Sequence, residues 1–257
     1  VLLLIMALCL VAGAVIGLVG GLMGIGGGLI AIPALGLAFG MSQQMAQGTS
    51  LILVLPTILM AVRKYNQNSR IDWVVAGFGA AAAVLFTWFG ARLALGVDSS
   101  LLRRSFAIFL CAVGVFYLWQ TYRLRPRAGR AASPVAARQL TRWHGAVLGA
   151  VGGTLGGFFG VGGAILIVPI VTTLFKYTQA NAQALALTMI IPGSTIALIT
   201  YSWGGQADWT IGVPMALGSL LCVNLGVRLA YKLPERRLRA CFAALIFFTV
   251  VLLFVEG

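Results

Sequence analysis

The chain has 257 residues, 60% of them apolar and only 9% charged, with a mean hydropathy of +1.01, which excludes an ordinary soluble domain. Its 18 Lys+Arg against 5 Asp+Glu give a net charge of +13, yet the basic residues fall between apolar runs. There they act as membrane topology signals, not as a nucleic-acid-binding face, so no nucleic-acid partner is expected.

Taken in order, the first apolar piece covers 1–23. It resembles a signal-peptide core with small residues at Ala12-Gly13-Ala14, but it has no basic leading segment and runs straight into glycines, so it reads as a membrane helix. Gly24–Gly28 then interrupts it. The next piece, 29–40, is roughly 18 Å long as a helix, too short to span ~30 Å of hydrocarbon, so it pairs with 1–23 as a hairpin broken within the membrane. Three full spans follow at 45–64, 72–95 and 101–122. The segment 123–142 carries Arg123, Arg125, Arg127, Arg130, Arg138 and Arg142, no acid, and Pro126 and Pro134; it reads as a basic loop between halves. The second half has pieces at 143–159, 164–175, 180–203, 208–231 and 236–256.

The two halves repeat each other at an offset of 136 residues without a gap. Gly20, Gly21, Gly24, Gly26, Gly27 and Pro33 recur as Gly156, Gly157, Gly160, Gly162, Gly163 and Pro169. The match continues through Gln43/Gln179, Gln47/Gln183, Pro56/Pro192, Tyr65/Tyr201, Asp72-Trp73/Asp208-Trp209, Arg92/Arg228 and Arg103/Arg239. Just over a quarter of positions 17–118 are identical to their partners, including polar ones that a shared apolar composition would not reproduce. The expected fold is therefore an all-α, polytopic membrane protein of two repeats, 1–122 and 143–257, each a glycine-broken hairpin plus three transmembrane helices. An odd number of crossings per half makes the repeats inverted, the signature of a secondary transporter.

Charge sets the orientation. With linker 123–142 in the cytoplasm, 15 of the 18 Lys+Arg lie near the inner face, Arg92, Arg103 and Arg104 being the exceptions. The basic loop 63–70 is then inside and its uncharged counterpart 199–206 outside.

The chemistry concentrates at the breaks. Backbone groups freed in hydrocarbon cost several kcal/mol unless protein, water or ligand satisfies them, so a break belongs where it lines a cavity. The short helices that follow would aim their partly positive N-termini into it, which suits an anion. Gly24, Gly26, Gly27, Gly28, Gly160, Gly162 and Gly163 are the candidate binding glycines; close packing through small residues is the competing reading. Gln43 with Gln47, and Gln179 with Gln183, share a helix face at i, i+4 and could donate amide hydrogen bonds to an oxyanion, or could simply be interfacial. Thr49, Ser50, Thr57, Thr188, Ser194 and Thr195 add hydroxyls around Pro56 and Pro192, Ser50 and Thr188 being candidate binding residues, or could simply cap freed carbonyls. Pro56 and Pro192 interrupt the helical ladder in mid-span, so a second discontinuity and a gating role are expected there. Asp72 and Asp208 read as helix caps, Trp73 and Trp209 as an aromatic belt. Cys9, Cys111, Cys222 and Cys241 read as small buried hydrophobes, and lone His144 as an interfacial residue. No metal site, cofactor or catalytic group is expected, and no deep carboxylate offers a proton relay.

The G-x-G-G-G-x-x-x-x-P pattern at Gly24–Pro33, its echo at Gly160–Pro169, and the pairs Gln43-x-x-Ala46-Gln47 and Gln179-x-x-Ala182-Gln183 resemble the TauE/SafE family of sulfite exporters, within the wider group of four-toluene-sulfonate uptake permeases. Ala164 stands where the first motif has Gly28. The resemblance covers nearly the whole chain. It implies a bacterial inner-membrane transporter whose partners are lipid and a small sulfur-containing anion such as sulfite, sulfoacetate or another sulfonate. A passive anion channel and a non-transporting membrane scaffold or sensor are the alternatives; the sequence assigns no oligomeric state.

Overall fold

The computed structural model describes residues 2–67, 71–123 and 140–256. Their regular elements are all helical: α1 (Leu2–Met23), α2 (Gly28–Phe39), α3 (Gln43–Asn66), α4 (Trp73–Leu95), α5 (Ser99–Arg123), α6 (Arg142–Phe159), α7 (Ala164–Leu174), α8 (Gln179–Trp203), α9 (Trp209–Lys232) and α10 (Glu235–Glu256). Six of them, α1, α3, α4, α5, α8 and α9, are long and apolar enough to cross a bilayer. The short α2 and α7 have 12 and 11 residues, as their apolar runs predict.

Local chemistry sets the helix starts. Ser42 accepts a hydrogen bond from Met45 N at 3.3 Å, and Thr178 accepts from Asn181 N at 3.4 Å, capping α3 and α8 at repeat-related positions. Asp72 accepts from Val74 N and Val75 N, and Asp208 from Thr210 N and Ile211 N, as expected of caps. Trp73 and Trp209 beside them are exposed, at 61% and 51%.

The helices pack in repeat-related pairs. α1 lies along α9 as α6 lies along α4; α3 meets α9 as α8 meets α4; α3 crosses α8, and α5 packs on α10. In α3 and α8, 67% and 61% of the most apolar window is buried, against 33–50% in the other four long helices, so these two form the centre.

Glycines make the α1–α9 and α4–α6 contacts close. A Cβ on Gly13, Gly17 or Gly21 of α1 would collide with the backbone carbonyl of Met215, Ser219 or Val223 of α9. Gly145, Gly149 and Gly157 of α6 stand in the same way against the carbonyls of Val75, Gly79 and Thr87 of α4. Close packing through small residues at four-residue spacing therefore accounts for the glycines ahead of each break.

Two expectations change, and a third gains detail. Both α3 and α8 run unbroken through Pro56 and Pro192, so no second discontinuity forms there. Cys9 is buried, but Cys241 is exposed and Cys111 and Cys222 are half-buried, because those three lie on outward-facing sides of their helices. His144 is more than an interfacial side chain: its Nδ1 accepts from Thr141 N at 3.2 Å and closes a capping box on α6. The linker arginines Arg125, Arg127, Arg130 and Arg138, like Arg70, lie outside the described residues, as do the side chains of Arg123, Arg236 and Arg239.

Candidate substrate site at two broken helices

Each break is a run of left-handed glycines. Gly24 (φ +65°) donates to Gly20 O at 2.9 Å and ends α1; Gly26 and Gly27 follow at φ +74° and +89°. Gly160 (φ +67°) ends α6, and Gly162 follows at +68°. Any side chain in this region brings its Cβ against the carbonyl oxygen, at roughly 1–2 kcal/mol per residue, so glycine is required. The sequence marked Gly20 and Gly156 only as repeat partners, but they are what lets the chain fold back. A Cβ on Gly20 would lie 2.6 Å from Gly27 N, and one on Gly156 would overlap Gly163 N.

The short helices begin here. Gly27 and Gly163 occupy the N-cap positions of α2 and α7, and neither receives a side-chain cap. At the start of α7 Ala164 N donates back to Gly162 O and Leu166 N to Gly163 O at 3.2 Å, and at the start of α2 Ile30 N donates to Gly27 O at 3.2 Å. The other first amides of each short helix have no carbonyl partner within it and suit an external acceptor. The two breaks also touch each other. A Cβ on Gly28 would stand 3.4 Å from Val161 Cα and 3.6 Å from Gly160 O, and one on Gly162 would stand 3.8 Å from Ile58 Cδ1. Ala164, at the position of Gly28, is fully buried.

The glutamines sit across the repeats. Gln183 of the second half packs on the first break, its Cδ 2.7 Å from where a Cβ on Gly24 would be; Gln47 of the first half packs on Gly160 in the same way. Tyr65 donates to Gln183 Oε1 and Tyr201 to Gln47 Oε1, both at 2.8 Å, and the same hydroxyls approach the carbonyls of Gly21 (3.2 Å) and Gly157 (3.0 Å). All four side chains are fully buried. The tyrosines were visible as a repeat match but carried no assigned role; their identical offset from each glutamine was the available signal. Gln43 and Gln179 are also buried but open α3 and α8, one turn (about 6 Å) before Gln47 and Gln183. Ser50 and Thr188 are tied to their own helices, bonding the carbonyls of Gln47 and Ala184 at 2.8 Å each.

The structure thus gathers the seven break glycines, Gln47 and Gln183 into one region. It leaves Gln43 and Gln179 a turn away, Ser50 and Thr188 occupied, and Pro56 and Pro192 inside continuous helices. One small cavity lies here, about 10 Å³, with Gly162, Gly163, Thr87 and Ser194 in its wall, room for about one water-sized group. Among the described residues no group of three His, Cys, Asp or Glu could hold a metal.

Comparison with known proteins follows this geometry. A family model described as sulfite exporter TauE/SafE matches residues 9–253. The chain is 26% identical over 259 residues to a probable membrane transporter protein of Methanocaldococcus jannaschii, covering 95% of this chain and 93% of that one. It is 25% identical over 252 residues to the probable membrane transporter protein YunE of Bacillus subtilis, covering 88% and 89%. A probable membrane transporter protein of Haemophilus influenzae is 27% identical over 205 residues, covering 78% and 76%.

Proposed function

Because this chain belongs to the sulfite exporter TauE/SafE family, we propose that it is a secondary transporter that exports small sulfur-containing oxyanions, such as sulfite or sulfoacetate, across the bacterial inner membrane by alternating access. The observation that carries this reading is the contact between the two breaks. Two uncapped helix starts, at Gly27–Gly28 and Gly163–Ala164, meet inside the protein beside buried amides and without a carboxylate at the meeting point. Each N-terminus offers free N–H donors and a partial positive charge, worth up to about 2 kcal/mol toward an anion in a partly buried setting. A cation would find no counter-charge there.

The orientation of the proposal puts linker 123–142 in the cytoplasm, consistent with the excess of Lys+Arg on that side. An interior-negative potential then favours anion exit by about 2.3 kcal/mol per charge per 100 mV. Alternating access has natural elements in the two hairpins, α1–α2 and α6–α7, which pack against α9 and α4 of the opposite repeat, with the Tyr–Gln pairs joining α3 to α8 beside the breaks.

The test is flux in proteoliposomes holding the purified full chain. Sulfite or sulfoacetate efflux should saturate and show counterflow. A linear, unsaturated conductance would replace the transporter with a channel, and no flux of any sulfur oxyanion would leave the scaffold reading.

A further inference from the structure

The repeat makes the two breaks alike at Gly24/Gly160 and Gly26/Gly162, though Gly27 is left-handed and Gly163 (φ +13°) is not, and their surroundings differ further. We infer that the oxyanion is held at the second break alone, by the Gln47 amide and the Ser194 and Thr87 hydroxyls beside the start of α7, while the first break is a sealed structural counterpart. This rests on the anion-transport reading above and names the residues that would carry its specificity.

Ser194 is the key observation. Its side chain is 3% exposed, its hydroxyl has no hydrogen-bond partner, and it lies 3.2 Å from where a Cβ on Gly162 would be. An orphaned buried hydroxyl costs about 1–3 kcal/mol, so its persistence beside a helix start points to a partner from outside the chain. It lines the small cavity together with Gly162, Gly163 and Thr87. Thr87 is equally buried, with its Oγ1 about where a Cβ on Gly153 would touch it, at 3.0 Å. Gln47 adds a third donor: its Oε1 is taken by Tyr201, but its Nε2 is buried without a partner.

The corresponding positions of the first break are closed. Ile58 replaces Ser194, Val223 replaces Thr87, and Ile16 replaces Gly152 of the cavity wall, each 136 residues away. Ser219 replaces Ala83, but its hydroxyl is already engaged, 2.6 Å from Thr57 Oγ1 and 3.0 Å from Ala216 O. Gln183, the counterpart of Gln47, spends its Nε2 on Met23 O at 2.6 Å. Two donors without partners, Ser194 Oγ and Gln47 Nε2, therefore lie at one break, and apolar or satisfied groups at the other. The cavity admits one oxygen-sized group, which fits a terminal oxygen of a sulfite or sulfonate group anchored there.

The experiment measures sulfite and sulfoacetate affinity by calorimetry on the purified full chain, with thermal stability read in parallel. Ser194→Ala should weaken binding about tenfold while melting like the wild type, since it removes one hydrogen bond to a charged ligand and no internal one. Gln47→Ala should weaken affinity at least fivefold more than Gln183→Ala, whereas Gln183→Ala, which breaks one more internal bond, should lower the melting temperature more. The opposed orders separate ligand contact from folding. Equal affinity losses for the two glutamines, or unchanged affinity in Ser194→Ala, would overturn the one-sided site while leaving transport intact. Should the wild type itself bind neither anion, the proposed substrate class falls, and this inference with it.

Discussion

The two breaks share a sequence motif and a backbone path, yet one is packed shut and the other keeps unsatisfied donors. At the first, Gly26 is walled by Ile58 and Val54, with a prospective Cβ 2.7 Å from Ile58 Cγ1. At the second, Gly162 faces Ser194 and Ile190 at 3.2 and 3.3 Å. Glycines that must adopt φ > 0 tolerate almost no change, so duplication preserves them. Side chains around them drift one at a time, and a site can pass to one copy while the other keeps the architecture.

The largest expected effect tests whether the halves are inverted at all. In a chain whose four cysteines are replaced by serine, a cysteine placed at Asn66 should react with an impermeant reagent only from the cytoplasmic side, and one at Gly205 only from outside. Both reacting from the same side would end the inverted comparison.

The next effect compares the breaks directly. Gly26→Val and Gly162→Val should both abolish transport. Gly26→Val should in addition destabilise the protein by more than the roughly 1–2 kcal/mol of left-handed strain, because its side chain also meets Ile58 and Val54. Melting temperatures in detergent check the difference; a larger drop for Gly162→Val would reverse the assignment of the tight break.

Smaller changes should follow from the Tyr–Gln pairs. Tyr65→Phe and Tyr201→Phe each remove one buried hydrogen bond and leave a glutamine oxygen unpaired, so each should cost about 1–2 kcal/mol and lower the melting temperature by a few degrees. Similar losses are expected, since both pairs have the same geometry. A wide gap between them would show that the two α3–α8 junctions are not equivalent.

The smallest effect on stability is expected at the prolines. Pro56→Ala and Pro192→Ala restore an N–H inside helices that are already continuous, so yield and melting should hold or rise slightly. Transport should fall if the missing hydrogen bond provides the flexibility for gating. Unchanged flux in both variants would remove the prolines from the gate.

Much of this protein is legible in its sequence alone. Hydropathy and length marked the ten helices to within about two residues at most ends, because a chain in lipid must satisfy its backbone internally and leaves long apolar runs as the record. The 136-residue repeat marked the breaks, since glycine is the one residue that supplies successive left-handed turns. Asp72 and Asp208 were readable as caps because capping is a contact over two or three residues. What remained hidden was every relation between distant segments. Gln47 meets Tyr201 across 154 positions and Gln183 meets Tyr65 across 118, and only helix packing decides that each glutamine serves the other repeat's break. Proline in mid-helix suggested a discontinuity, but α3 and α8 stay continuous where they pack at the centre of the protein, which local propensity does not contain. Nor could the motif alone distinguish glycines that turn the chain, such as Gly26, from those that admit a neighbouring helix, such as Gly17. The first need follows from a backbone dihedral, and the second from how closely α9 approaches, which only the tertiary structure decides.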